Sequence, residues 1–433
     1  MQITQFIKNI LRKKVVKNAG WIMTGRIIQM ICAFFVSLLT ARFLGPSNYG
    51  LINYGIAYTT FFYSICTLGI NSVLVKVLVD EPEKEGEALG TTVILQFISS
   101  FASALMIIGI VSIIDNKEPL TIVVVALCTI GLLFRVFEVL RCWFQAHLMS
   151  KFSAIASTVG YLLTSAYRLV LLMRNADIKW FALATAVDYF AIAVLLLFFY
   201  RRSRGMQFHY SKAEAKKLLK MSTPFILSGL MVSIYGTTDK LMLKQMLSEA
   251  SVGYYSTAVS LCNVWVFVLT AIIDSMYPLI MESHKENYIK YEQQNRLLYA
   301  IVFYVSIFVS ILFVLFGSPV IQLLYGEEFM PTVAPLRVVT WYVAFSYLGV
   351  ARNAWIVSEN LQKYNAPIYI CAAITNVLLN LVLIPILSET GAALASLITQ
   401  VSIIFVFPLF IKPMRRNTKL MVEAIFFIGI RSK

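Results

Sequence analysis

Residues 297–321 read LLYAIVFYVSIFVSILFVLFGSPVI, a run without one charged side chain. A helix needs roughly 20 mainly apolar residues to cross a bilayer, so this stretch spans with room to tilt. Working outward from it, similar runs fall near 21–43, 52–78, 88–113, 119–141, 152–173, 179–200, 222–247, 252–279, 332–357, 364–387 and 390–411. The second and eighth carry polar breaks. Hydrophobic residues make up 59% of the chain and charged ones 14%, with a mean hydropathy of +0.76, so a bilayer must stand in for water around the outer faces. The fold expected is an all-α polytopic membrane protein with twelve transmembrane helices, which excludes most soluble enzyme classes.

Positive charge sets the expected orientation. Lys8, Arg12, Lys13, Lys14 and Lys17 precede the first run; Arg201, Arg202, Arg204, Lys212, Lys216, Lys217 and Lys220 follow the sixth; Lys412, Arg415, Arg416 and Lys419 follow the last. An even number of crossings puts all three segments on one side. Opposite loops 44–51 and 388–391 hold no Lys or Arg, and 322–331 holds only acids. Both termini are therefore expected in the cytoplasm. The net charge of +15 reflects this bias and does not point to nucleic acid.

The chain divides into a basic interfacial helix (1–20), an N-terminal lobe (21–200), a cytoplasmic connector (201–221), a C-terminal lobe (222–411) and a tail (412–433). The tail is expected to be interfacial or frayed. Ser211-Lys212-Ala213-Glu214 fits a capping box opening a short helix, with Pro224 in the first turn of the next span. Ser283-His284-Lys285-Glu286 offers a second such start.

The lobes echo one another. Trp143, then Lys151-Phe152-x-Ala154, recurs as Trp355, then Lys363-Tyr364-x-Ala366, each joining the fourth and fifth spans of its half. Leu44 and Gly50 after the first span are matched by Leu247 and Gly253 after the seventh. Six spans per half make the repeat parallel, so two six-helix lobes around a central cavity are expected.

Charges inside spans cost roughly 2.5–3.5 kcal/mol at the bilayer centre and so face protein or water. Arg135, Glu138 and Arg141 recur at three-residue spacing along one face of the fourth span, where Glu138 can pair with either arginine and leave one positive charge. That row reads either as a cationic wall for an anionic substrate or as an interhelical ion pair with Arg141 snorkelling. Arg26, Arg168, Arg337 and Arg352 lie in other spans, and the planar guanidinium suits phosphate or carboxylate. Asp188 and Asp274 are candidates for a coupling site for H+ or Na+. Asp239 and Lys240 read as a local ion pair or gate, and Asn376 and Asn380 as glue between helices.

The six cysteines lie in or beside apolar runs without a CxxC, so neither disulfides nor a metal site is expected, and no cofactor. His147, His209 and His284 fall in connectors with no acid at a telling spacing, which argues against acid–base catalysis.

Four stretches carry a family resemblance: ARFLGPSNYG (41–50) with LGINSVLVK (68–76); FRVFEVLRCWFQAHLMSKFSAIA (134–156); TDKLMLKQMLSEASVGYYSTA (238–258); and APLRVV (334–339) leading to NLQKYNAP (360–367). In this order and at these span positions they resemble the polysaccharide-exporter branch of the multidrug/oligosaccharidyl-lipid/polysaccharide (MOP) superfamily, within it the Wzx-type O-antigen flippases. The resemblance implies alternating access that moves an undecaprenyl-diphosphate-linked oligosaccharide across the inner membrane, driven by an ion gradient, through a cationic lumen. It also implies a polysaccharide polymerase and a chain-length regulator as partners. A multidrug or cation antiporter of the same superfamily is the rival reading.

Overall fold

A computed structural model describes residues 2–426 and 428, with side chains for Met30 and from Cys32 onward. The basic helix expected over 1–20 and the Arg26 side chain lie outside the described side chains. The first half contains α1 (Gln2–Phe61), α2 (Tyr63–Cys66), α3 (Asn71–Asp80), α4 (Glu85–Ile114), α5 (Pro119–Arg135), α6 (Leu140–Ala146), α7 (Ser150–Met173) and α8 (Ile178–Arg202). The second contains α9 (Lys212–Met246), α10 (Glu249–Asn263), α11 (Val266–Glu286), α12 (Tyr288–Tyr325), α13 (Val333–Ala351), α14 (Asn353–Ser358), α15 (Asn365–Val401) and α16 (Arg415–Ile425). Helix is the form that pairs every backbone group within its own segment, as lipid requires.

Among the described residues, ten helical stretches are long and apolar enough to cross a membrane. Two of them, Cys32–Asp80 and Gln362–Phe410, run 49 residues. At ~1.5 Å per residue each would extend ~74 Å, over twice the hydrocarbon thickness, so each must turn back. Both break in the middle. Gly45 takes φ 71°, ψ 171° ahead of Pro46, and Ser388 takes φ 52°, ψ −133°. Counting two crossings for each gives the twelve expected. The eighth crossing is α10 followed by α11, bent at Val264–Trp265, where the bonds tighten to Val264 N–Leu261 O and Val268 N–Trp265 O. Exposed apolar side chains such as Phe97, Ile98, Phe101 and Leu105 on α4 suit contact with lipid.

By packing, the chain forms two units: residues Met1–Thr40 with Ile65–Thr223, and Ala41–Ser64 with Pro224–Lys433. The segment 41–64, read from sequence as part of the first lobe, thus packs with the second. In the first unit the core gathers Leu74, Leu89, Leu140, Trp143, Phe144 and Leu196. In the second it gathers Leu298, Tyr299, Leu348, Trp355 and Met421.

Three local expectations are corrected. The connector helix and the seventh span are one helix, α9, with Pro224 inside it. Its start is capped as expected, Ser211 Oγ accepting from Glu214 N at 3.4 Å. Thr223 Oγ1 donates to Leu219 O at 2.7 Å beside the proline, and the units divide there. Ser283 does not open the ninth span: it lies within α11, and Asn287 caps α12 by accepting from Ile289 N at 2.9 Å. The tail is neither frayed nor merely interfacial over α16. Leu420, Met421 and Ala424 are fully buried, Tyr304 donates to Ile425 O at 2.6 Å, and Arg296 pairs with Glu423 at 2.7 Å. Eleven residues are too short to span but long enough to bury one amphipathic face.

Candidate functional site

The row on the fourth span sits at a change of helix type. Between α5 and α6, residues Val136–Val139 form a 3-10 turn, whose three-residue period stacks positions 135, 138 and 141. Glu138 pairs with both arginines at once, Oε2 with Arg135 Nε at 3.1 Å and Oε1 with Arg141 Nη2 at 2.9 Å. The row therefore carries one more positive than negative charge, and its carboxylate holds the two guanidiniums apart. Arg135 also lies over the Tyr189 ring, 4.9 Å from its centre. Asp188, next to Tyr189, accepts from Thr164 Oγ1 at 3.2 Å and feels the charges of Arg168, Glu138 and Arg141. The first unit thus brings together Arg135, Glu138, Arg141, Arg168 and Asp188.

The second unit holds a different polar centre. Asp239, 3% exposed on α9, accepts from Tyr255 OH at 2.7 Å, Asn380 Nδ2 at 2.6 Å and Ser396 Oγ. Asn380 Nδ2 also donates to Asn376 Oδ1 at 3.1 Å. These groups come from α9, α10 and both arms of α15. The sequence reading of Asp239 and Lys240 as an ion pair is corrected: the carboxylate takes neutral donors, because helical geometry points adjacent residues to different faces. The amide pair 376/380 is glue, as expected, and the acid is what it encloses. The i, i+4 amides and the Tyr in VG-x-Y were the available signals.

The remaining candidates scatter. Arg352, 4% exposed, donates through Nη1 to Ile403 O at 3.0 Å, inside the π-helical segment Ser402–Val406, and so straps two helices. Arg337 and Asp274 are exposed. Lys240 is half-buried.

No acid stands at a telling spacing from the histidines in the sequence, but the fold brings acids to two of them. His147 Nε2 lies 3.1 Å from Glu85 Oε1, and His284 Nε2 lies 3.4 Å from Glu359 Oε1. The acids come from distant sequence, so no local spacing could announce them.

Residues 15–284 match the family model described as polysaccharide biosynthesis protein. The chain belongs to that family. Across 390 residues it is 21% identical to the capsular polysaccharide biosynthesis protein CapF of Staphylococcus aureus, covering 89% of this chain and 96% of CapF. Among solved structures it resembles the lipid II flippase MurJ in an inward closed conformation (TM-score 0.71, 13% identity, 95% of this chain and 92% of that one). It also resembles an inward-facing MATE-family multidrug transporter of the MOP superfamily (TM-score 0.67, 13% identity, 91% and 96%). This polysaccharide biosynthesis family member is thus a multi-pass membrane protein whose fold is similar to those of MurJ and the MATE-family transporter. The family match covers the arginine row, Asp188 and Asp239.

Proposed function

We propose that this protein flips an undecaprenyl-diphosphate-linked oligosaccharide, a repeat unit of a surface polysaccharide, from the cytoplasmic to the outer leaflet by alternating access. The observation that carries the reading is the Arg135–Glu138–Arg141 row, whose excess positive charge lies within a membrane span. A buried cation is stabilised by an anionic partner, and a diphosphate offers several acceptor oxygens to two guanidiniums. Membership in the polysaccharide biosynthesis family supports the sugar portion of the substrate. The bias of Lys and Arg supports a cytoplasmic location for both termini.

For ion coupling the reading favours Asp239 over Asp188 and Asp274. Its carboxylate is more fully enclosed, with Tyr255, Asn380 and Ser396 donating to it, and its own oxygens together with the adjoining hydroxyl oxygens of Tyr255 and Ser396 suit H+ or Na+. A buried acid also fits a cation antiporter of the multidrug type, and one experiment separates the two. Purified protein is reconstituted in liposomes with a fluorescent undecaprenyl-diphosphate oligosaccharide, and protection from an impermeant reagent is scored with and without an ion gradient. Gradient-dependent flipping is expected. Absence of flipping, with gradient-driven efflux of small cations from the same vesicles, would transfer the protein to the multidrug class.

A further inference from the structure

The junctions of spans four with five and ten with eleven each set a His–Glu contact beside a buried tryptophan, with acid and base exchanged. At the first, Trp143 is 3% exposed and donates from Nε1 to Glu85 Oε2 at 2.9 Å. His147, one turn on, stacks on Trp143 with ring centres 4.3 Å apart and meets the other oxygen of Glu85. Its Nδ1 faces the Trp143 carbonyl at 3.0 Å. Glu85, in the first turn of α4, is 6% exposed and has both oxygens engaged. At the second junction the repeat puts Glu359 where the first has His147, four residues after Trp355. The partner is now a histidine, His284, at the end of α11, and Trp355 stacks on Tyr291 at 4.8 Å.

The first junction adjoins the arginine row. The 3-10 turn interrupts the regular ladder, so the orientation of α6 is not dictated by α5 and must be fixed from the side. Arg141 lies on α6, two residues before Trp143. We propose that Glu85 is a positioning residue: through Trp143 and His147 it fixes α6, and so the spacing of Arg141 and Arg135 about Glu138. The inference rests on the reading of that row as the diphosphate-binding element. The second junction keeps the His–Glu contact, at 3.4 Å and with the polarity exchanged, while its Trp355 Nε1 makes no hydrogen bond, so the contact shared by both junctions is the His–Glu bridge.

The test uses full-length protein and two readouts: affinity for undecaprenyl diphosphate in detergent, and flipping rate at saturating substrate in liposomes. Glu85→Ala is expected to weaken binding about tenfold, as loss of a buried hydrogen-bonded anchor implies, while the saturated rate changes little. The exchanged variant E85H/H147E, which copies the polarity of the second junction, is expected to restore binding. Unchanged binding in folded Glu85→Ala, or failure of the exchange to restore it, overturns the proposal. Should Glu85→Ala not fold, Glu85→Gln and the exchange decide by the same criteria. Arg141→Ala serves as reference. If Arg141→Ala binds normally, the diphosphate reading of the row fails and the proposal falls with it. If Arg141→Ala is weakened and Glu85→Ala is not, only the positioning role fails.

Discussion

Gly50 and Gly253, the matched glycines of the internal repeat, meet backbone to backbone. A Cβ on Gly50 would fall 1.8 Å from Glu249 O and 2.7 Å from Gly253 N, and one on Gly253 would fall 2.1 Å from Pro46 O. Nearby, Gln245 Nε2 donates to Tyr54 OH at 2.7 Å. This contact explains why 41–64 packs with the second unit although it follows the first span.

Alanine at either glycine therefore has nowhere to go. Overpacking typically costs ~1–3 kcal/mol, and a main-chain neighbour cannot rotate aside, so the upper part of that range is expected. Thermal unfolding in detergent should show a clearly lowered midpoint for Gly50→Ala and Gly253→Ala. A wild-type midpoint in both would contradict the close approach.

Asp239→Asn keeps the shape of the enclosed side chain and removes its charge. Ion-driven flipping is expected to fall about tenfold or more, the factor matching ~1.4 kcal/mol of lost differential ion binding. Asp188→Asn, with Thr164 as its hydrogen-bond partner, should affect the ion dependence less. The reverse order in a gradient titration would return the coupling role to Asp188.

The shared carboxylate makes the row a graded series. Arg135→Ala or Arg141→Ala removes its excess charge and should weaken undecaprenyl diphosphate binding about tenfold. Glu138→Gln adds a net positive charge and should bind at least as tightly as wild type. Equal affinities across the three variants would leave the row a purely structural ion pair.

Outside the spans, Lys217 ties α9 to Glu81 and also pairs with Glu214, three residues back on the same helix, at 3.3 Å. Hydrogen bonding from Lys217, then Lys84, holds the Glu81 carboxyl below its ordinary 4.5. Hydrogen bonding to Glu81 raises the Lys217 ammonium above its ordinary 10.5. The Glu81 contribution is present above its ordinary value and lost as pH falls through the lowered one. The Lys217 contribution is present below its ordinary value and lost as pH rises through the raised one. Amide protection over 206–217, taken relative to the intrinsic exchange rate at each pH, should thus hold across the intervening window and fall at both extremes. Lys217→Met should lower protection at neutral pH; unaltered protection would show that the bonds of His209 N to Gly86 O and of Ser211 N to Thr91 Oγ1 suffice.

Arg416 pairs with Glu292 through two nitrogens and reaches Glu423 at 3.7 Å. Because this network is only partly exposed, Arg416→Ala should lower stability by about 1 kcal/mol, read as a lower melting midpoint in detergent. Truncation after Met414 should lower it further by uncovering the surface that Leu420, Met421 and Ala424 bury.

The sequence by itself determined the bilayer as solvent, the twelve crossings, the two halves and the spacing of the arginine row. Each of these follows from local composition or from short periodic patterns, which the helix preserves. Tertiary structure alone decided which acid meets which base. Nothing near Asp239 in the chain predicts that Ser396 and Asn380 enclose it, and nothing near His147 points to Glu85. A buried charge is matched by whatever donor or acceptor the packed helices bring to it, and those groups come from opposite ends of the sequence. The placement of 41–64 was hidden for the same reason: two glycines are unremarkable in a sequence until the fold lays one backbone against the other.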